Sequence, residues 1–129
     1  MSLERAQALV EAFHIKYGVS APLRAQKAKD VDWIAHSRRL GWIDDERIEG
    51  DDAMEDESMA ELADSYIDII VFALGGLVEL GIDGGPLFDA VMKANMTKVK
   101  LPGVAKIAKG PGWKSPPIAE LIEQQRKRG

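Results

Sequence analysis

The sequence predicts an all-α chain: a four-helix-bundle-like domain followed by a basic arm and a short last helix. Three observations carry this. First, Glu57 to Leu80 repeats apolar residues at helical spacing along its whole length: Met59, Leu62, Ile67, Ile70, Val71, Leu74, Leu77 and Val78. Second, start and stop residues bracket its neighbours, with Ser2 and Gly18 around a first helix and Gly81 and Pro86 around a turn. Third, four carboxylates interrupt the apolar stretch, Glu57, Glu61, Asp64 and Asp68. They fall at roughly 0°, 40°, −20° and 20° around the helix axis, in one narrow stripe. Such a stripe on a core helix is costly unless a lysine, an arginine or a metal ion compensates it.

Taken in order, the first helix runs from a Ser2 cap to about Tyr17, with Glu4 in its first turn and Leu9, Val10, Phe13 and Tyr17 on its buried face. His14 lies beside that face and reads as a packing residue, as does His36 on the next helix. Residues 19–29 form a loop around Pro22. A second helix spans about Asp30 to Glu49, although Gly41 lies inside it and its apolar periodicity is loose. Residues 50–56 read as an acidic loop, out of register for a calcium-binding EF-hand. After the long helix and a turn over 82–85, Pro86 opens a fourth helix that carries Leu87, Phe88, Val91 and Met92 inward and ends near Lys98. Residues 100–117 are a basic loop rich in glycine and proline, and a short helix covers Ile118 to Arg128.

At 129 residues the chain fits one domain over 1–129, with a core at about 2–99 and the arm and last helix at 100–129. The absence of cysteine excludes a disulfide scaffold and thiolate chemistry, and suits a reducing compartment. No signal peptide opens the chain, and the apolar run from Tyr66 to Val78 is too short to span a bilayer. The expectation is therefore a cytoplasmic protein with no membrane partner. The net charge of −4 conceals an asymmetry: nine of the fourteen residues over 44–57 are acidic, whereas nine lysines and arginines follow Val91 against Glu120 and Glu123. That division suits a metal-plus-phosphate site, or two solvated faces of opposite sign. A negative chain with a modest basic tail argues against nucleic acid as a partner.

Glu46 and Glu49 stand three apart on the second helix, and Glu61 and Asp64 three apart on the third. Each pair puts two carboxylates on one side of a turn, and antiparallel packing of the two helices brings four together. Alone they repel and are pushed to protonate; around Mg²⁺, which takes hard oxygen ligands, the same cluster is favourable. The missing His/Cys clusters argue against zinc.

The order DDERIE, an acidic gap, then ELADSYIDII resembles the ExxE…ExxD signature of the MazG-like all-α nucleoside triphosphate pyrophosphohydrolases, and especially the short members related to phosphoribosyl-ATP pyrophosphohydrolase. LGID at 80–83, ANMTK at 94–98 and the C-terminal KGPGWKSPP fit the same group. The resemblance implies Glu46, Glu49, Glu61 and Asp64 as Mg²⁺ ligands, with Mn²⁺ a possible substitute. It also implies that Asn95 and Lys98 reach substrate phosphates, and that Lys109 and Trp113 close over a nucleotide; Trp113 can equally pin the tail to the core. Asp45 stands where many relatives carry the first of two glutamates, which the resemblance implies as an outer or additional ligand, and Asp68, one turn beyond the motif, is placed to hold a lysine or a water instead.

The activity so implied is Mg²⁺-dependent hydrolysis of a (deoxy)nucleoside triphosphate to the monophosphate and pyrophosphate, with Glu46 or Glu49 activating the water. Two other readings stand beside it: a phosphoribosyl-ATP pyrophosphohydrolase of histidine synthesis, and a non-catalytic helical interaction module. The apolar excess on the third helix, and family members whose nucleotide lies near a subunit interface, predict a homodimer or homotetramer.

Overall fold

A computed structural model describes residues 1–128, and among these the regular structure is helical: α1 (Leu3–Lys16), α2 (Trp33–Glu55), α3 (Met59–Leu80), α4 (Gly84–Asn95) and α5 (Ile118–Lys127). A three-residue 3₁₀ turn at Ala28–Asp30 precedes α2, and one antiparallel bridge joins Val99 to Ala108 in the arm. The predicted all-α class holds.

The Ser2 Oγ accepts from the Arg5 amide at 3.1 Å and starts α1, which stops at Tyr17 before Gly18 turns left-handed at φ +71°. The buried face differs from the expected one. Val10 and His14 point inward, whereas Leu9, Phe13 and Tyr17 are more than half exposed. His14 earns its buried position because its Nδ1 lies 3.1 Å from the Ser20 carbonyl oxygen, so a polar ring is satisfied there.

The main departure from the sequence reading concerns α2. It starts at a capping Asp32, whose Oδ1 accepts from Ala35 N at 3.0 Å, and runs unbroken through Gly41 and Gly50 to Glu55. The acidic stretch expected as a loop is therefore mostly helix. A helical glycine costs only about 1 kcal/mol, and Gly50 is buried against α3, where a Cβ would lie 3.8 Å from Leu62 Cδ1 and Ser65 Cβ. On the outer face Arg47 relieves the acidic crowding by pairing with Asp44 and Asp51, each at 3.0 Å. The reversal into α3 takes three residues, Asp56, Glu57 at φ +52° and Ser58, whose Oγ accepts from Glu61 N at 3.2 Å. Glu57 thus leaves the carboxylate stripe and belongs to the turn.

The antiparallel α2–α3 hairpin is the largest helix contact, with α1 laid on α3 and α4 on α1. The core is small: Val10, Leu74 and Val78, flanked by Leu3, Ala6, Ala21, Val71 and Leu77. Beside it lies a buried ion pair. The Arg39 guanidinium, on α2, reaches Glu79 of α3 through Nη2, donates to Phe72 O through Nη1 at 3.3 Å, and lies over the Trp42 ring. The space it needs is left by Gly75, where a Cβ would come within 3.0 Å of both Arg39 Cζ and His14 Nε2.

Gly81 ends α3 at φ +72° with the Arg24–Ala25 backbone packed on it, so it serves both as a left-handed cap and as a close approach. The next helix begins two residues before Pro86, at Gly84, capped by Asp83 and clamped by Gln7, which accepts from Gly84 N at 2.9 Å and donates to Ile82 O at 2.6 Å. It ends at Asn95 rather than Lys98, and Phe88, Val91 and Met92 are more exposed than expected. Large apolar side chains also remain outside on the hairpin: Trp33, Ile34 and Leu40 on α2, and Met59, Tyr66 and Ile70 on α3. No single helix among the described residues is long and apolar enough to cross a membrane.

Replacing Glu79 with leucine strands the buried Arg39 charge and is expected to destabilise the fold by about 3 kcal/mol, read as a lowered urea midpoint. The double replacement Arg39→Met, Glu79→Leu should recover most of that loss; a single variant with unchanged midpoint would remove the ion pair from the stability argument.

Candidate active site

The far end of the α2–α3 hairpin from Arg39 is acidic. Because α2 continues to Glu55, Glu46 and Glu49 lie in mid-helix, and the unfavourable helix-end position that the shorter helix implied disappears. Glu49, Glu61 and Asp64 line one hollow of about 230 Å³ together with Asp52 and Ser65. Glu46 sits behind them on the same face of α2. It is half-buried, and its Oε2 is shielded from solvent with no donor to satisfy it.

The electrostatics follow from that crowding. A proton shared with Glu49 pushes the Glu46 carboxyl up from 4.5 to about 7; burial and the charges of Glu49, Asp68 and Asp64 push the same way. In Arg39 the hairpin has a cation for Glu79, but among the described residues no ion pair is seen at Glu46, Glu49, Glu61, Asp64 or Asp68. Among the described residues no three acidic or histidine side chains stand in a ready-made cation cage. An orphaned buried carboxylate oxygen and a wholly oxygen donor set fit a hard divalent ion such as Mg²⁺, which Glu46, Glu49, Glu61 and Asp64 could hold.

Asp52 was missed by sequence reasoning. It stands three residues after Glu49, so it extends the same carboxylate ladder, but ending the helix at Glu49 placed it in a loop. Asp45 is exposed. Asp68 is half-buried and close enough to raise Glu46, on the site side of α3.

The basic group forms elsewhere. Trp113 donates its indole N–H to Ala94 O at 3.1 Å, which ties the arm to the last turn of α4. The Lys109 and Lys98 ammonium groups lie 4.5 and 5.8 Å from its ring centroid. Asn95 Nδ2 faces Met92 Sδ at 3.9 Å, so Asn95, Lys98, Lys109 and Trp113 share one neighbourhood. Trp113 therefore does pin the tail. At ~1.5 Å per residue, the end of α3 is about 24 Å from Asp64, and the 119° turn into α4 leaves Asn95 roughly 20 Å from Asp64. By this estimate the end of α4 lies well away from Asp64 in the same chain.

A family model for phosphoribosyl-ATP pyrophosphohydrolase matches residues 21–95, which span both carboxylate pairs, the hairpin and α4. The chain belongs to this family. As a member of the MazG-like nucleotide pyrophosphohydrolase superfamily it is a hydrolase acting on phosphorus anhydrides, and the interaction-module reading falls away. Comparison with curated proteins finds no match. The family match stops at Asn95, so Lys98, Lys109 and Trp113 lie on a segment outside it.

Because the folded protein holds a proton on Glu46 that the unfolded chain releases between pH 4.5 and about 7, this group's contribution to stability falls as pH rises through that window. Without divalent cation, the thermal midpoint should be lower at pH 8 than at pH 5.5, and Glu46→Gln should flatten the difference. The lowered Glu123 carboxyl, held by Arg126, acts below 4.5 and leaves this window clear.

Proposed function

We propose that this family member hydrolyses a (deoxy)nucleoside triphosphate of the dUTP or dGTP type to the monophosphate and pyrophosphate, for nucleotide-pool housecleaning or monophosphate supply, using Mg²⁺ with Mn²⁺ as a substitute. The observation that carries this is the acidic hollow between α2 and α3, with the unsatisfied Glu46 oxygen behind it. The metal, held by Glu46, Glu49, Glu61 and Asp64, supplies charge neutralisation for the phosphate oxygens. Glu46 and Glu49, side by side on α2, orient a water and take its proton as its oxygen bonds to phosphorus. The bridging P–O bond breaks, and pyrophosphate leaves with the electron pair. Asn95, Lys98, Lys109 and Trp113 bind the substrate: the two lysines, which have no carboxylate partner among the described residues, supply positive charge, and Trp113 offers an aromatic face.

The same hollow serves phosphoribosyl-ATP equally well, and the family model's own description favours that second reading. The glycine- and proline-rich arm with Lys109 and Trp113, outside the matched residues, favours the triphosphate. Pyrophosphate release with Mg²⁺ across the ribo- and deoxynucleoside triphosphates and phosphoribosyl-ATP separates the two. Glu61→Ala should abolish turnover in folded protein, and Glu46→Gln should lower kcat by about 10²–10⁴-fold. Silence on every substrate would overturn the reading.

The separation of acidic and basic groups, and the uncovered Met59, Tyr66 and Ile70 on α3, support a homodimer or homotetramer in which one chain's carboxylates meet another's lysines. Mixing inactive Glu61→Ala with inactive Lys98→Ala protein should then restore turnover, because one of the two sites in a mixed dimer keeps both groups. No recovery after subunit exchange would assign the two groups to separate roles.

A further inference from the structure

A second concave site lies away from the carboxylates, between the outer face of α4, residues 112–117 and α5. It is a groove of about 440 Å³, within the range of small-molecule sites. Much of its wall is apolar: the rings of Pro86, Pro116 and Pro117 and the methyls of Ala90 and Ala94. Lys93 and Lys114 line it too, one from α4 and one from the arm, and neither has a carboxylate within 4 Å among the described residues. Ser115 adds a hydroxyl.

The walls are fixed before any ligand arrives. Trp113 holds the arm to Ala94, and the Val99–Ala108 bridge closes the loop before it with two bonds of 2.9 Å. The last helix, α5, is tied down twice. Gln125 exchanges bonds of 2.8 and 2.9 Å with the Asp83 backbone, and Arg126 donates to Gln26 O through Nε and Nη2 at 3.1 and 2.7 Å. A groove held open in this way costs little ordering on binding.

We infer that this groove is a second ligand site, taking a planar aromatic anion of the nucleoside monophosphate class. The apolar walls suit a ring, and the two lysines in the lining supply positive charge for a phosphate. The site depends on the arm and α5, so it is a property of this chain's C-terminal segment and stands whatever triphosphate or phosphoribosyl nucleotide the carboxylates act on.

The test is calorimetric titration of the full chain with AMP, GMP, CMP and UMP in EDTA. Saturable binding of at least one is expected, weakened about tenfold or more by Lys93→Glu, Lys114→Glu together and retained by Glu49→Ala, Glu61→Ala. Both lysines are exposed, and circular dichroism checks that the reversed variant is folded. Amide shifts at Thr97 and Ser115 on titration locate the ligand. The inference is overturned if no monophosphate binds, if the lysine variant binds as tightly as the parent, or if the carboxylate variant is the one that loses binding.

Discussion

The packing of α2 against α3 is the constraint on which the rest depends, because it must solve an electrostatic problem differently at its two ends. Near α1 a buried carboxylate, Glu79, meets a buried guanidinium, Arg39, and Gly75 leaves the room. At the other end the same interface brings Glu46, Glu49, Asp64 and Asp68 close, with no ion pair to them among the described residues. One end is closed by the protein; the other is open to a ligand of opposite charge. Burial of an unpaired carboxylate is costly, and groups perturbed in this way cluster at functional sites.

That division gives the molecule its functional polarity. The hairpin supplies acid, the α4 terminus and the arm supply base, and the length of α3 sets the end of α4 away from Asp64. A pyrophosphohydrolase needs both, since the anhydride oxygens call for cations and the attacking water for a carboxylate. The small core and the uncovered apolar side chains on both helices of the hairpin leave apolar surface that the single chain does not bury.

Much of the site was legible in linear form. The Glu46/Glu49 and Glu61/Asp64 pairs declare themselves through i, i+3 spacing, which is a property of the helix and needs no knowledge of packing. Asp52 was illegible because its place on the ladder depends on whether α2 passes Gly50. Local propensity argues for a break there, and only contact with Leu62 and Ser65 argues for continuation. The inward turn of His14 was hidden for a similar reason: its partner is the Ser20 carbonyl in the following loop, while Phe13 and Tyr17, more apolar, face outward.

The sequence by itself determined the helical class, the caps at Ser2 and Gly81, the two carboxylate pairs and the membership these imply, since each rests on spacing within one turn. Tertiary structure alone decided how far α2 runs, that Arg39 neutralises Glu79 rather than the acids at the other end of the hairpin, and that Trp113 fastens the arm to Ala94. The physical reason is range. Periodicity and capping are set by neighbours a few residues apart, whereas the compensation of a buried charge is set by whatever distant residue the packing brings within reach.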